Sequence, residues 1–118
     1  FEDKSFDFAV LSMTLVNFAD VKVKVLEEMK RVVKDDGKVI ISVYSEKALP
    51  ERVSMYNQVG AKIKSEKDGY VIFETEGLTS EQFSKKELED LVNKAGLKIE
   101  DCEEIGSLAY ICTLAPNK

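Results

Sequence analysis

The sequence has 118 residues, of which 44% are hydrophobic and 33% charged, with a net charge of −5 at pH 7; this is the composition of one ordinary globular domain. Its 17 lysines and arginines are interspersed with 22 acids, so no concentrated basic face is offered to phosphates and nucleic acid is not an expected partner. No apolar run approaches the roughly 20 residues of a membrane span, and the absence of histidine excludes a histidine-based triad within these residues and removes the commonest metal ligand.

Cys102 and Cys112 have no metal-ligand spacing, so no metal site is expected, and reduced thiols in a cytoplasmic protein are the default expectation. No basic leader followed by an apolar stretch marks a signal peptide. The sequence starts with Phe1 rather than Met, which suggests a piece of a longer protein.

In chain order, Phe6 to Ser12 reads as a strand, apolar on both faces apart from Asp7 and therefore expected to be covered on both sides. A helix from Val21 to Lys34 follows, with Asp20 as its expected N-cap. Val25, Leu26, Met29, Val32 and Val33 form its apolar stripe. Glu27 and Arg31 are spaced for a surface pair. Asp35-Asp36-Gly37 is expected to turn the chain, with Gly37 left-handed, into a strand from Lys38 to Tyr44. A strand, a crossover helix and a second strand make the unit of a parallel sheet.

Beyond Tyr44 the pattern loosens. Pro50 can open a short helix through about Val59. Ala61 to Lys64 and Tyr70 to Thr75 are expected to pair around Lys67-Asp68-Gly69, since Asp-Gly is a strong hairpin signal. The whole stretch 46–82 reads as an insertion between core elements. Ser84 and Glu87 then form a capping box, flanked by Phe83 and Leu88 at staple positions. Leu88, Leu91, Val92 and Ala95 make the buried stripe of that helix, and Gly96 ends it. Leu97 to Glu104 and Leu108 to Leu114 read as a closing hairpin around Gly106-Ser107. A three-residue loop there would set Cys102 against Cys112, and a one-residue slip would separate them onto opposite faces.

These residues resemble the C-terminal half of a class I S-adenosylmethionine-dependent methyltransferase. Ser5-Phe6-Asp7-Phe8-Ala9-Val10 is similar to that family's fourth-strand motif. Leu26 to Lys38 is similar to its next helix and turn, with Asp35-Asp36 where Pro-Gly is usual. Phe83 to Leu97 resembles the later helix that leads into the family's antiparallel terminal hairpin. The fold implied is a Rossmann-like α/β sheet: two parallel strands with a crossover helix, then a helix and an antiparallel hairpin. Residues 1–118 would form one partial methyltransferase domain, with 46–82 as its substrate-specificity insertion. The general small-molecule branch fits best, because no branch-defining substrate motif is visible.

The resemblance implies S-adenosylmethionine as cofactor. The family's glycine-rich loop and its acidic ribose and adenine contacts would lie upstream of Phe1, so these residues alone are expected to bind the cofactor poorly and to be inactive. Methyl transfer needs positioning and desolvation more than a dedicated catalytic residue, and none is assigned. In open α/β sheets ligands lie beyond the carboxyl ends of the strands. Ser12, Met13 and Thr14 would therefore border the cofactor. Asn17 would orient the acceptor, or else bond its own backbone as a loop residue. Tyr44 would line the acceptor pocket, or pack with a wet hydroxyl. Arg52 and Tyr56 would cover that pocket, or serve as packing residues. Asp7 reads as structural.

A second class of function is a non-catalytic methyltransferase-like module that binds or assembles through its open sheet edge, with an N-terminal half or with another copy. A third reading, half of a nicotinamide-dependent dehydrogenase, is disfavoured by the terminal hairpin and the Glu-x-x-Arg-Val helix.

Overall fold

The computed structural model of the chain describes residues 1–13, 15, 21–60, 63–67, 70–73 and 79–117. β1 (Phe6–Ser12) runs parallel to β2 (Val33–Tyr44), and α1 (Lys22–Val32) crosses between them. α2 (Leu49–Gln58), β3 (Ile63–Lys67), β4 (Tyr70–Phe73) and β5 (Thr79–Glu81) follow. α3 (Lys85–Lys94) then leads into the closing antiparallel pair, β6 (Leu97–Ile105) and β7 (Ala109–Pro116).

One four-stranded sheet has the order β1-β2-β7-β6. β7 is inserted antiparallel beside β2, with Ile41 opposite Cys112 and Val43 opposite Tyr110. The parallel unit and the terminal hairpin are thus one sheet, as the sequence predicts. β2 occupies the centre because it can fill that place: Val39, Ile41 and Val43 are wholly buried. They join Leu26 of α1, Leu88 and Val92 of α3, Leu97 of β6 and Leu114 of β7 in a single core. Each fully buried aliphatic side chain there contributes about 1.5–3 kcal/mol.

α3 is built as its sequence dictates. The Glu87 amide donates to Ser84 Oγ at 3.2 Å, and the Ser84 hydroxyl donates in turn to Glu87 Oε1 at 3.1 Å. Phe83 and Leu88 are both buried in the core, and Gly96 leaves the helix at φ +76°.

Several expectations are corrected. Among the described residues β1 is not covered on both sides. Phe8 and Val10 are 61% and 64% exposed, because α1 and α3 cover only the opposite sheet face, against which Ala9 and Leu11 pack. The first helix ends at Val32, and Val33 is already extended. Asp35-Asp36-Gly37 is not a left-handed turn but an irregular stretch of β2, set between the pairs Phe6–Val33 and Phe8–Lys38. Gly37 has no positive φ; glycine is needed there because an added Cβ would lie 2.9 Å from the Asp7 carbonyl and 3.0 Å from that of Lys34. Arg31 pairs with Glu28 and Asp3, both at 2.6 Å, instead of with Glu27. The i, i+3 partner and the N-terminal segment reach the guanidinium fork from two sides, which one i, i+4 carboxylate cannot do.

Asp20, the expected cap, lies outside the described residues, as does the Asp68-Gly69 turn. The hairpin on either side of that turn is present, with Lys67 opposite Tyr70. β5 adds a third strand to it, which the short polar run Thr79-Ser80-Glu81 gave no periodicity to reveal.

Candidate functional site

The carboxyl ends of β1 and β2 lie side by side, with Ser12 opposite Ser42. Beyond them Met13 turns the chain at φ +57°, a left-handed conformation that costs a non-glycine residue about 1–2 kcal/mol. Ser42 holds this turn twice: the Met13 amide donates to the Ser42 carbonyl and to Ser42 Oγ, each at 3.0 Å. Ser12 is exposed and Met13 half-buried at that edge. Thr14 and Asn17 lie outside the described residues.

The end of β2 is fastened from three directions. Ser45 is buried; its amide donates to the Leu108 carbonyl and its hydroxyl to the Ser107 carbonyl at 2.8 Å. Phe83 runs beside it in a parallel bridge, with the Phe83 amide on the Tyr44 carbonyl and the Glu46 amide on the Phe83 carbonyl. The chain then enters α2, whose first turn reaches the terminal hairpin as the Ser107 hydroxyl donates to Glu51 at 2.8 Å. The buried Tyr110 hydroxyl donates to Glu46 at 3.0 Å. Burial, reinforced by that carboxylate, pushes its phenol up to about 12.

On this frame the structure brings together Tyr44, Arg52 and Tyr56. Arg52 of α2 is wholly buried. Its guanidinium carbon stands 3.8 Å from the centre of the Tyr44 ring and 5.6 Å from that of Tyr56, a stacked arrangement worth about 2 kcal/mol when desolvated. One guanidinium nitrogen donates to Tyr56 Oη at 3.0 Å, and the other terminal nitrogen donates to the buried Gln82 side chain. Burial raises the Tyr44 phenol above its ordinary range. Gln82 closes the cluster although the sequence reading did not single it out. Its only signal was a polar residue next to the apolar Phe83 where a separate segment rejoins the core. Ser42 was missed likewise, though a lone serine within Val39-Ile40-Ile41-Ser42-Val43 is a polar break in an apolar strand.

A family model described as the ubiE/COQ5 methyltransferase family matches residues 1–114. The chain belongs to this family. The ubiquinone/menaquinone biosynthesis C-methyltransferase UbiE of Citrifermentans bemidjiense is 42% identical to it over 57 residues, 48% of this chain and 24% of that protein. The solved structure of PH0226 protein from Pyrococcus horikoshii OT3 superposes with a TM-score of 0.74 at 25% identity, over 99% of this chain and 57% of the other. The 1,6-didemethyltoxoflavin-N1-methyltransferase of Burkholderia thailandensis was solved with 1,6-didemethyltoxoflavin and S-adenosylhomocysteine bound. It superposes at 0.73 with 16% identity, over 98% of this chain and 46% of the other. The chain therefore spans about a quarter of the curated relative and about half of the solved proteins it matches.

For a ubiE/COQ5 family chain, the strand-end cluster is the place to look for chemistry, since open α/β sheets bind ligands beyond the strands' carboxyl ends. A concavity of about 340 Å³ lies at the opposite end, lined by Asp3, Lys4, Arg31, Val33, Asp35 and Pro116 among others. Lys4 pairs there with Asp35 at 3.1 Å and Arg31 with Asp3 at 2.6 Å. Among the described residues no helix is long and apolar enough to cross a membrane.

Proposed function

We propose that the parent protein is an S-adenosylmethionine-dependent methyltransferase whose acceptor is a small aromatic molecule of the quinone-precursor class. The observation that carries this reading is the Tyr44–Arg52–Tyr56 cluster at the carboxyl edge of the parallel strands. The family's description and the name of the Citrifermentans relative support the quinone class.

S-adenosylmethionine supplies, when bound, an electrophilic methyl group on a sulfonium. The residues present fit one border of its site. Ser12 offers an exposed hydroxyl, Met13 a half-buried thioether, and Ser42 fixes the left-handed turn between them and the following loop. Thr14 is assigned to the same border. Tyr44 and Tyr56 present aromatic surface to the acceptor, and Asn17 orients it. Arg52 has no exposed surface of its own; it is a positioning residue that holds both rings and ties them to Gln82. The fixed rings exclude water and limit the poses of a flat acceptor, which is the contribution methyl transfer asks of a protein. The stretch 46–82, which carries α2 and the small sheet, sets acceptor choice.

Two measurements test this, the first on the full-length protein and the second on these residues alone. Deleting Glu66 to Thr75 is expected to change acceptor turnover more than cofactor affinity, and an equal loss of both counts against it. Calorimetry of the 118-residue chain with S-adenosylmethionine is expected to give weak binding; micromolar binding would mean that the cofactor site lies within these residues. The exposed Phe8 and Val10 of β1 favour a second reading, an assembly module that associates through this edge strand. Concentration-dependent light scattering by a protein that binds no cofactor supports that alternative.

A further inference from the structure

We infer that Cys102 and Cys112 form a thiol-modification site, a dithiol that a small-molecule disulfide closes into a cross-strand disulfide. The two residues are directly opposite in the β6–β7 ladder. Opposed residues in an antiparallel pair have Cα atoms about 4.5 or 5.5 Å apart, according to the type of pair, and both spacings fall inside the range a disulfide spans. Both cysteines are free and pack on the same face, Cys112 within the core and Cys102 against it. The register that places them so is set by the three-residue loop between Ile105 and Ala109, and is held from the other side by Ile41 opposite Cys112.

Their unequal exposure assigns the order of events. β6 is an edge strand of the four-stranded sheet and Cys102 is half-buried, whereas Cys112 has no exposed surface. Cys102 Sγ, as the thiolate, attacks one sulfur of the small disulfide; the S–S bond breaks, a mixed disulfide forms and one small thiolate leaves. Cys112 then attacks Cys102 Sγ, its proton passing to the second small thiolate, which leaves as the thiol. Two protein thiols are oxidised by two electrons, and the small disulfide is reduced to two thiols. Burial, with the neighbouring Cys102 thiol, raises Cys112 above the ordinary thiol range. Cys112 is therefore a poor first nucleophile, and its sulfur serves to resolve an adduct delivered a strand's width away.

The probe is oxidised glutathione, added to the reduced protein, followed by acid quench, alkylation under denaturing conditions and mass analysis. Wild type is expected to carry neither glutathione nor alkyl groups and to yield a cross-linked Cys102–Cys112 peptide. Cys112→Ala is expected to retain glutathione on Cys102, and Cys102→Ser to keep Cys112 alkylatable and free of glutathione. Circular dichroism checks that both variants fold, and the wild-type result stands without them. Wild type that retains glutathione at Cys102, keeps both thiols alkylatable, or cross-links between chains overturns the inference.

Discussion

The guanidinium of Arg52 lies 3.8 Å above the ring of Tyr44 and donates to Tyr56 from the same plane, so one buried cation fixes the relative placement of two aromatic rings on two different elements. Arg52→Ala removes the stack, opens a cavity and takes its donor from the buried Gln82 side chain; a loss of about 2–4 kcal/mol is expected in urea melts. Arg52→Lys keeps the charge but not the planar fork that stacks and donates in two directions, and should recover less than half of that loss. Full recovery by lysine would show that charge alone matters.

Gly37 makes a different demand. Its backbone is one any residue can adopt, yet a Cβ would press on the Asp7 and Lys34 carbonyls. Gly37→Ala is expected to cost about 1–3 kcal/mol by thermal melt, and Gly37→Asn at least as much. At Gly60, with φ +75° and open space around it, the order reverses: asparagine tolerates the left-handed region better than alanine. An asparagine advantage at both positions would refute the steric reading of Gly37.

These two glycines mark how far the sequence could be read. Local rules sufficed where a local cause decides: Ser84 and Glu87 cap α3, Gly96 ends it, and the apolar run within Lys38 to Tyr44 makes a strand. The three-residue loop even set Cys102 against Cys112 as one of two foreseen registers. Tertiary causes were not legible. Gly37 has a turn-like neighbourhood, and only the approach of β1 shows why it must be glycine. The apolar run Phe8 to Val10 predicts burial, but nothing in its composition says that the described residues cover one face alone. At the candidate site the sequence places Tyr44 in a pocket that Arg52 and Tyr56 cover; their stacking, and the part played by Gln82, needed α2 laid against the end of β2.

The cap of α3 gives a simpler test. Ser84→Ala removes the acceptor for the Glu87 amide at 3.2 Å and is expected to cost about 1 kcal/mol, whereas Ser84→Asp should be close to neutral because a carboxylate caps equally well and complements the helix N-terminus. Equal losses for the two variants in chemical denaturation would show that Ser84 acts by packing instead.

Tyr110 should give the fold an alkaline limit. Its hydroxyl is buried against Glu46, and its folded pKa lies near 12 against an ordinary value of 10. Above pH 10 the unfolded chain releases this proton first, so deprotonation favours unfolding. The stabilising difference is complete below pH 10 and declines as pH rises toward about 12, by at most about 3 kcal/mol. Glu46→Gln removes the negative acceptor but not the burial, and should bring the phenol only part of the way back. Tyr110→Phe should flatten the decline relative to wild type in urea melts across this pH window, while Tyr44, raised by its own burial, continues to titrate in both. A decline of the same slope in Tyr110→Phe would mean that the alkaline sensitivity arises elsewhere.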